Sequence, residues 1–182
     1  MASLLYLHGF ASCGQGNKST ALKAYFGQGE VLAPDLPYAP EEAISFIEML
    51  CKSHSISLLI GSSLGGFYAT VVSERTGIPA VLLNPSVKPW QTLALYVGIN
   101  RRFCDDVPFT FEFSYLEEME SVSVRPKNGK YLVLLQSDDE VLDFRIAAEH
   151  YKAHRVIVEY GGNHRFENIT DYLSMIENFR NQ

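Results

Sequence analysis

Ile56-Ser57-Leu58-Leu59-Ile60-Gly61-Ser62-Ser63-Leu64-Gly65-Gly66-Phe67-Tyr68-Ala69-Thr70-Val71-Val72 is the stretch whose reading decides the fold. Its first five residues form an apolar run of strand type, and the residues from Phe67 continue as an apolar helix. Between them lies Gly61-Ser62-Ser63-Leu64-Gly65, a Gly-x-Ser-x-Gly on a sharp strand-to-helix turn. Such a turn holds its central Ser in a strained conformation with the hydroxyl exposed above the sheet, and the flanking glycines let neighbouring backbone pass close by. The pattern alone is weak, and a glycine-rich turn that only packs is the plain alternative. What matters is a buried-type strand immediately before it and an apolar helix immediately after.

Outward from this turn, short apolar runs alternate with helical patterns. Strands are expected at Ser3–Leu7, Glu30–Ala33, Ile56–Ile60, Ala80–Leu83, Tyr131–Leu135 and Arg155–Tyr160. Most are apolar on both alternations, as a parallel sheet covered on both faces requires. Helices are expected at Lys18–Phe26, Glu41–Cys51, Leu64–Arg75, Val141–Tyr151 and Ile169–Phe179. Pro40 suits a first helical position, and Gly27 and Gly77 are natural stops. The alternation argues for an α/β sandwich, a mostly parallel sheet of about six strands with helices on both faces. Residues 86–130 break the rhythm and are too long for a bare loop. Rich in aromatics from Trp90 to Tyr115, they read as a small cap or insert of short helices over the carboxyl ends of the strands.

A chain of 182 residues with 47% hydrophobic and 20% charged residues is one globular domain, spanning 1–182. A formal net charge of −6 argues against general affinity for nucleic acid or an anionic membrane. No run approaches the ~18 apolar residues of a membrane span. Cys13, Cys51 and Cys104 are few and widely spaced, without metal-site spacing. Their odd number, with no leader segment, suits a reducing compartment, and the cytoplasm is the default location.

A Ser nucleophile needs a base to take its proton and a carboxylate to hold that base in the right tautomer. Each should follow a strand, in the order Ser, acid, base. After Tyr131–Leu135 come Gln136-Ser137-Asp138-Asp139-Glu140-Val141-Leu142-Asp143, a loop with four carboxylates. Asp139 is the preferred acid and Asp138 the alternative; an acidic first turn of the next helix is the bland reading. After the last strand come Gly161-Gly162-Asn163-His164, and His164 is the expected base. His54, His150 and His154 lie in or beside helices. The oxyanion needs two preorganised amides. Leu64 N–H follows the nucleophile, and Phe10 N–H follows Leu7-His8-Gly9 after the first strand. His8 precedes the elbow and suits a role in bonding its own loop. Arg101-Arg102 is a solvated pair or a contact for an anionic substrate.

With these pieces in place the chain resembles the α/β-hydrolase superfamily, and within it the YqiA/YcfP-like small bacterial esterases. The resemblance covers nearly the full length. It rests on Leu5-Tyr6-Leu7-His8-Gly9-Phe10, Pro34-Asp35-Leu36-Pro37, Gly61 to Ala69, Leu83-Asn84-Pro85, Leu135 to Asp143 and Gly161-Gly162-Asn163-His164. It implies a sheet without the first two strands of larger hydrolases, Ser63 as nucleophile, Asp139 as acid and His164 as base. Where that family often has Gly before the acid, this chain has Asp138, and residues 86–130 match least well. The implied activity is hydrolysis of small-molecule carboxylic esters, with acyl-CoA thioesters as a further class, and no cofactor or metal is required. A non-catalytic binding protein on the same fold and an acyltransferase using the same residues are the rival expectations.

Overall fold

The computed structural model describes residues 3–182. In chain order the elements are β1 (Leu4–Leu7), α1 (Asn17–Phe26), β2 (Val31–Leu32), α2 (Pro40–His54), β3 (Leu58–Ser62), α3 (Leu64–Thr76), β4 (Ala80–Leu83) and α4 (Pro89–Thr92). They continue with β5 (Gly98–Arg101), β6 (Pro108–Phe111), α5 (Phe113–Val122), β7 (Tyr131–Gln136), α6 (Phe144–His150), β8 (Arg155–Glu159) and α7 (Leu173–Arg180). Six strands form one sheet in the order β2-β1-β3-β4-β7-β8, and every pairing in it is parallel.

Both faces of this sheet are dry, which is why its strands read as continuous apolar runs rather than alternating ones. Leu5, Leu7, Leu59, Leu82, Val133 and Leu135 pack on one face against α2, α3 and α6. Their neighbours Leu4, Tyr6, Leu58, Ile60, Val81, Leu83, Leu132 and Leu134 pack on the other, against Leu22 of α1 and Leu173, Ile176 and Phe179 of α7. Helix α3 is buried on all sides from Leu64 to Ser73, the behaviour of a helix apolar all round. This is the expected α/β-hydrolase sandwich. Among the described residues no helix is long and apolar enough to cross a membrane.

Four details differ from the sequence expectation. Strand β2 is two residues long; Glu30, just before it, accepts the Ser3 and Leu4 amides through its carbonyl and the Ser3 hydroxyl through its side chain. Helix α6 begins at Phe144 rather than Val141: the carboxylate of Asp139 takes the amides of Val141 and Leu142, which holds a turn there, and Asp143 caps the helix through the Arg145 amide. The last helical segment opens as a 3₁₀ turn, Ile169–Tyr172, before α7. The insert is not made of short helices alone. Strands β5 and β6 form an antiparallel hairpin between α4 and α5. Its pattern is of period two, with Phe109 and Phe111 turned inward and Pro108 and Thr110 outward, a signal that the density of aromatics masked.

Cys13 and Cys104, 91 residues apart in sequence, are joined by a disulfide with their Cα atoms 6.2 Å apart. The bond ties the loop after β1 to the tip of the β5–β6 hairpin, and the Phe103 amide donates to the Ala11 carbonyl beside it. Cys51 is the free, buried cysteine.

Candidate active site

Strand β3 ends at Ser62 and α3 begins at Leu64, leaving Ser63 alone at the bend with φ 54° and ψ −119°. A positive φ is costly for a residue with a Cβ and persists only where the surroundings impose it. Here they do. The Ser63 amide donates to the Leu83 carbonyl at 3.1 Å, and the Ser63 carbonyl accepts from Gly66 and Ser86 at 2.9 and 3.0 Å. The bend can be this tight because two side chains are missing. A Cβ on Gly65 would collide with the Leu7 carbonyl, and one on Gly61 with the Gly65 carbonyl.

The elbow sits at the carboxyl ends of the strands, where the loops after β7 and β8 converge on it. His164 Nε2 is 3.0 Å from Ser63 Oγ, and His164 Nδ1 is 3.0 and 2.9 Å from the two Asp139 oxygens. The Asp139 side chain is 2% exposed, against 18% for His164. Asp139 Oδ1 also accepts the Val141 and Leu142 amides at 2.9 and 2.8 Å. A carboxylate held this way can only accept, so the imidazole proton belongs on Nδ1 and the Nε2 lone pair faces the Ser63 hydroxyl. Asp138 is exposed and accepts instead from the Ser137 hydroxyl. Of the two candidate acids, Asp139 is the one that meets His164.

Three residues outside the expected set position the histidine loop. Glu140 accepts the His164 amide at 2.9 Å, a bond that holds its carboxyl below the usual carboxylate range. Asn84, at the end of β4, donates to the carbonyls of Asn163 and His164 and accepts the Gln136 amide. Gln136, at the end of β7, accepts the Asn163 amide at 2.9 Å. Both amide side chains are buried, and burial of a polar group at a strand's carboxyl end was the available signal: it must bond something there. The loop itself turns through Gly161 and Gly162, at φ 100° and 79°.

The Leu64 amide follows Ser63 in the chain, and the Phe10 amide belongs to the loop whose Gly9 packs on Ser63. Among the described residues neither has an acceptor. Gly9 faces the serine, since a Cβ on it would lie 3.2 Å from Ser63 Cβ and 3.7 Å from Oγ. His8 fixes this loop. Its Nε2 accepts the Leu36 amide at 3.0 Å, so Nδ1 carries the proton and donates to the Gly9 carbonyl at 2.8 Å. That carbonyl belongs to the same peptide unit as the Phe10 N–H, and planarity makes the two point in opposite directions. Burial pulls the His8 pKa below its ordinary value, keeping the ring neutral for this double bond.

The family model described as "Uncharacterised protein family (UPF0227)" matches residues 3–181. The chain belongs to this family. Among its curated relatives, a UPF0227 protein of Serratia proteamaculans is 28% identical over 188 residues, covering 97% of this chain and 98% of the relative. Another, of Vibrio parahaemolyticus, is 28% identical over 189 residues, covering 98% and 99%. Solved structures of the same fold include alpha/beta hydrolase domain-containing protein 10 from mouse (TM-score 0.75, 14% identity, covering 98% of this chain and 89% of that one). They include a monoacylglycerol lipase of Paleococcus ferrophilus (TM-score 0.74, 15% identity, 98% and 93% covered). The esterase domain of a Rhodothermus marinus protein is similar too (TM-score 0.70, 22% identity, 96% and 82% covered). These likenesses show the α/β-hydrolase fold.

Around the site of this UPF0227 chain, the other candidates have structural employment. Arg101 pairs with Asp106 at 2.8 Å, and Arg102 with Asp35 and Asp105 at 2.8 and 2.5 Å. Arg102 therefore braces the hairpin against the loop after β2, and Arg101 is held within the hairpin's own tip. His154 bonds the Pro126 carbonyl, and His54 the Ser53 hydroxyl. One group, Cys13, Cys104 and Asp105, brings metal-ligand atom types together. Its two sulfurs are bonded to each other and its carboxylate is held by Arg102.

Proposed function

We propose that this chain is a serine hydrolase of carboxylic esters, acting through Ser63, His164 and Asp139, with acyl-CoA thioesters as a further substrate class open to the same chemistry. The observation that carries the proposal is the unbroken hydrogen-bonded line from Ser63 Oγ through His164 to Asp139. His164 Nε2 takes the serine proton as Oγ attacks the acyl carbonyl. The resulting oxyanion receives the Phe10 and Leu64 amides, donors of a kind worth roughly 10²–10³ in rate each. His164 then hands its proton to the departing alcohol or thiol, leaving Ser63 acylated. Water, deprotonated by the same imidazole, attacks the acyl-enzyme and releases the acid, and the proton returns to Ser63. Asp139 orients the ring and stabilises its protonated form.

A strained serine is costly to a fold that has no use for it, which weighs against a purely binding role. Among proteins of the same fold, the ones named a lipase and an esterase domain act on ester bonds, in keeping with the proposal. The test is release of p-nitrophenol from p-nitrophenyl acetate. Wild type should turn over many equivalents and Ser63→Ala should fall to the uncatalysed rate; equal activity in the two proteins sinks the proposal.

A further inference from the structure

The loops after β1 and β2, α3 and the insert line a small, partly open cavity of about 30 Å³ that reaches Leu64, the residue after Ser63. Gly9, Phe10 and Leu64 line it together with Tyr38, Phe109 and Phe111. The enclosure is a cage of rings in contact. Tyr38 stacks flat on Phe109 with centroids 4.3 Å apart, and Phe10 meets Phe109 and Phe111 edge-on at 5.7 and 5.1 Å. Phe109 and Phe111 are 7% and 2% exposed, so the walls are backed by core. On the far side of the Phe10 ring lies an open cleft of about 600 Å³, bordered by Tyr96, Ile99, Arg101 and Phe103.

We propose that the ring cage is the acyl pocket and that it selects short acyl groups, of two to four carbons counting the carbonyl. This rests on the hydrolase reading of Ser63. Phe10 and Leu64, whose amides would hold the oxyanion, both line the cavity, so a carbonyl seated on them brings its acyl substituent beside the rings. A water-sized group needs roughly 10–15 Å³ of such space, so 30 Å³ receives at most about three carbons beyond the carbonyl. The lining is mostly apolar; its polar members are His8, Ser12, Tyr38 and Tyr68, and no Asp, Glu, Lys or Arg is among them, so the acyl group it takes carries no charge. Phe109 and Tyr38 are then specificity-determining residues supplied by two separate segments, the hairpin and the loop after β2.

The experiment is a chain-length series of p-nitrophenyl acetate, butyrate, hexanoate and octanoate on wild type, Tyr38→Ala and Phe109→Leu. Tyr38 is 38% exposed, so its truncation spares the core and keeps the test independent of the riskier Phe109 variant; thermal melts check both. Wild type should peak at acetate or butyrate in kcat/KM and fall at least tenfold by octanoate, the scale on which an apolar pocket discriminates methylenes. A folded Tyr38→Ala or Phe109→Leu should raise octanoate relative to butyrate at least fivefold. A wild-type optimum at octanoate, as binding of the chain in the open cleft would give, overturns the proposal. So does a flat profile, or a profile unmoved in both folded variants. In each of these cases Ser63 still turns over ester, which separates failure of the pocket from failure of the hydrolase reading. If no ester is cleaved and Ser63 is unreactive, both fall together.

Discussion

Replacing Asp139 by Asn tests the site at its most constrained atom. Oδ1 of Asp139 accepts two backbone amides, from Val141 and Leu142, as well as facing His164. An Asn keeping its carbonyl on those amides must turn its NH₂ to His164 Nδ1. The imidazole proton then moves to Nε2, and the ring presents a donor to Ser63 where an acceptor is needed. Flipping the amide restores the right tautomer but sets the NH₂ against two backbone donors. Each buried donor left unmatched costs about 1–3 kcal/mol, so the flip costs roughly 2–6 kcal/mol. At 1.36 kcal/mol per decade the loss in kcat is bounded between about 30-fold and 10⁴-fold, the upper end matching the loss known for a wrong-tautomer imidazole in a serine triad. Asp138→Asn removes a carboxylate that meets only the Ser137 hydroxyl, and its effect should stay within about twofold, as for an ordinary surface change. The assay is kcat on p-nitrophenyl butyrate for both variants, with circular dichroism to show that they fold. A loss below tenfold in Asp139→Asn, or equal losses in the two, refutes the reasoning.

Other expectations follow from the same geometry. The His8 pKa is depressed by burial, so its contribution to stability is fully present above the unfolded value of about 6.5 and is lost as pH falls from there through the folded value. Urea melts from pH 7.5 to 5 should show up to about 1.4 kcal/mol per pH unit from this group, and His8→Gln should lack that component. His8→Ala leaves the Leu36 amide and the Gly9 carbonyl unpaired, costing on the order of 2–4 kcal/mol, and should lower kcat at least tenfold by loosening the Phe10 peptide. Gly65→Ala forces a methyl into the Leu7 carbonyl and should cost at least about 1–3 kcal/mol in chemical denaturation. In the oxidised protein, thiol titration under denaturing conditions should find one cysteine, Cys51. Cys13→Ser should lower the melting temperature by about 10 °C or more, because a disulfide across 91 residues restrains the unfolded chain by about 4–5 kcal/mol in the loop-entropy account.

The sheet was legible because burial on both faces makes each of its strands an uninterrupted apolar run, and because Gly27, Gly77 and Pro40 punctuate the helices. The candidate site was legible in outline for a related reason: Ser63 follows such a run directly, and Asp139 and His164 lie three and five residues past the ends of β7 and β8. What the sequence hid depends on partners distant along the chain. Asn84 and Gln136 look like ordinary turn residues until the ends of β4 and β7 are set side by side. The choice between Asp138 and Asp139 turns on which carboxylate the Val141 and Leu142 amides hold, a matter of one residue's rotation. Cys13 meets Cys104 only once the hairpin folds back over the β1 loop. The hairpin itself was obscured by an aromatic-rich stretch whose alternation, Pro108 and Thr110 out against Phe109 and Phe111 in, spans only four residues.

The central claim is that Ser63 is a nucleophile made reactive by His164. Treatment of the folded protein with a fluorophosphonate, followed by intact-mass measurement and peptide mapping, tests it most directly. The account predicts one phosphonyl adduct per chain, located on Ser63, absent in Ser63→Ala and slowed at least a hundredfold in His164→Ala. An unlabelled wild type, or an adduct on any other residue that persists in Ser63→Ala, would contradict it.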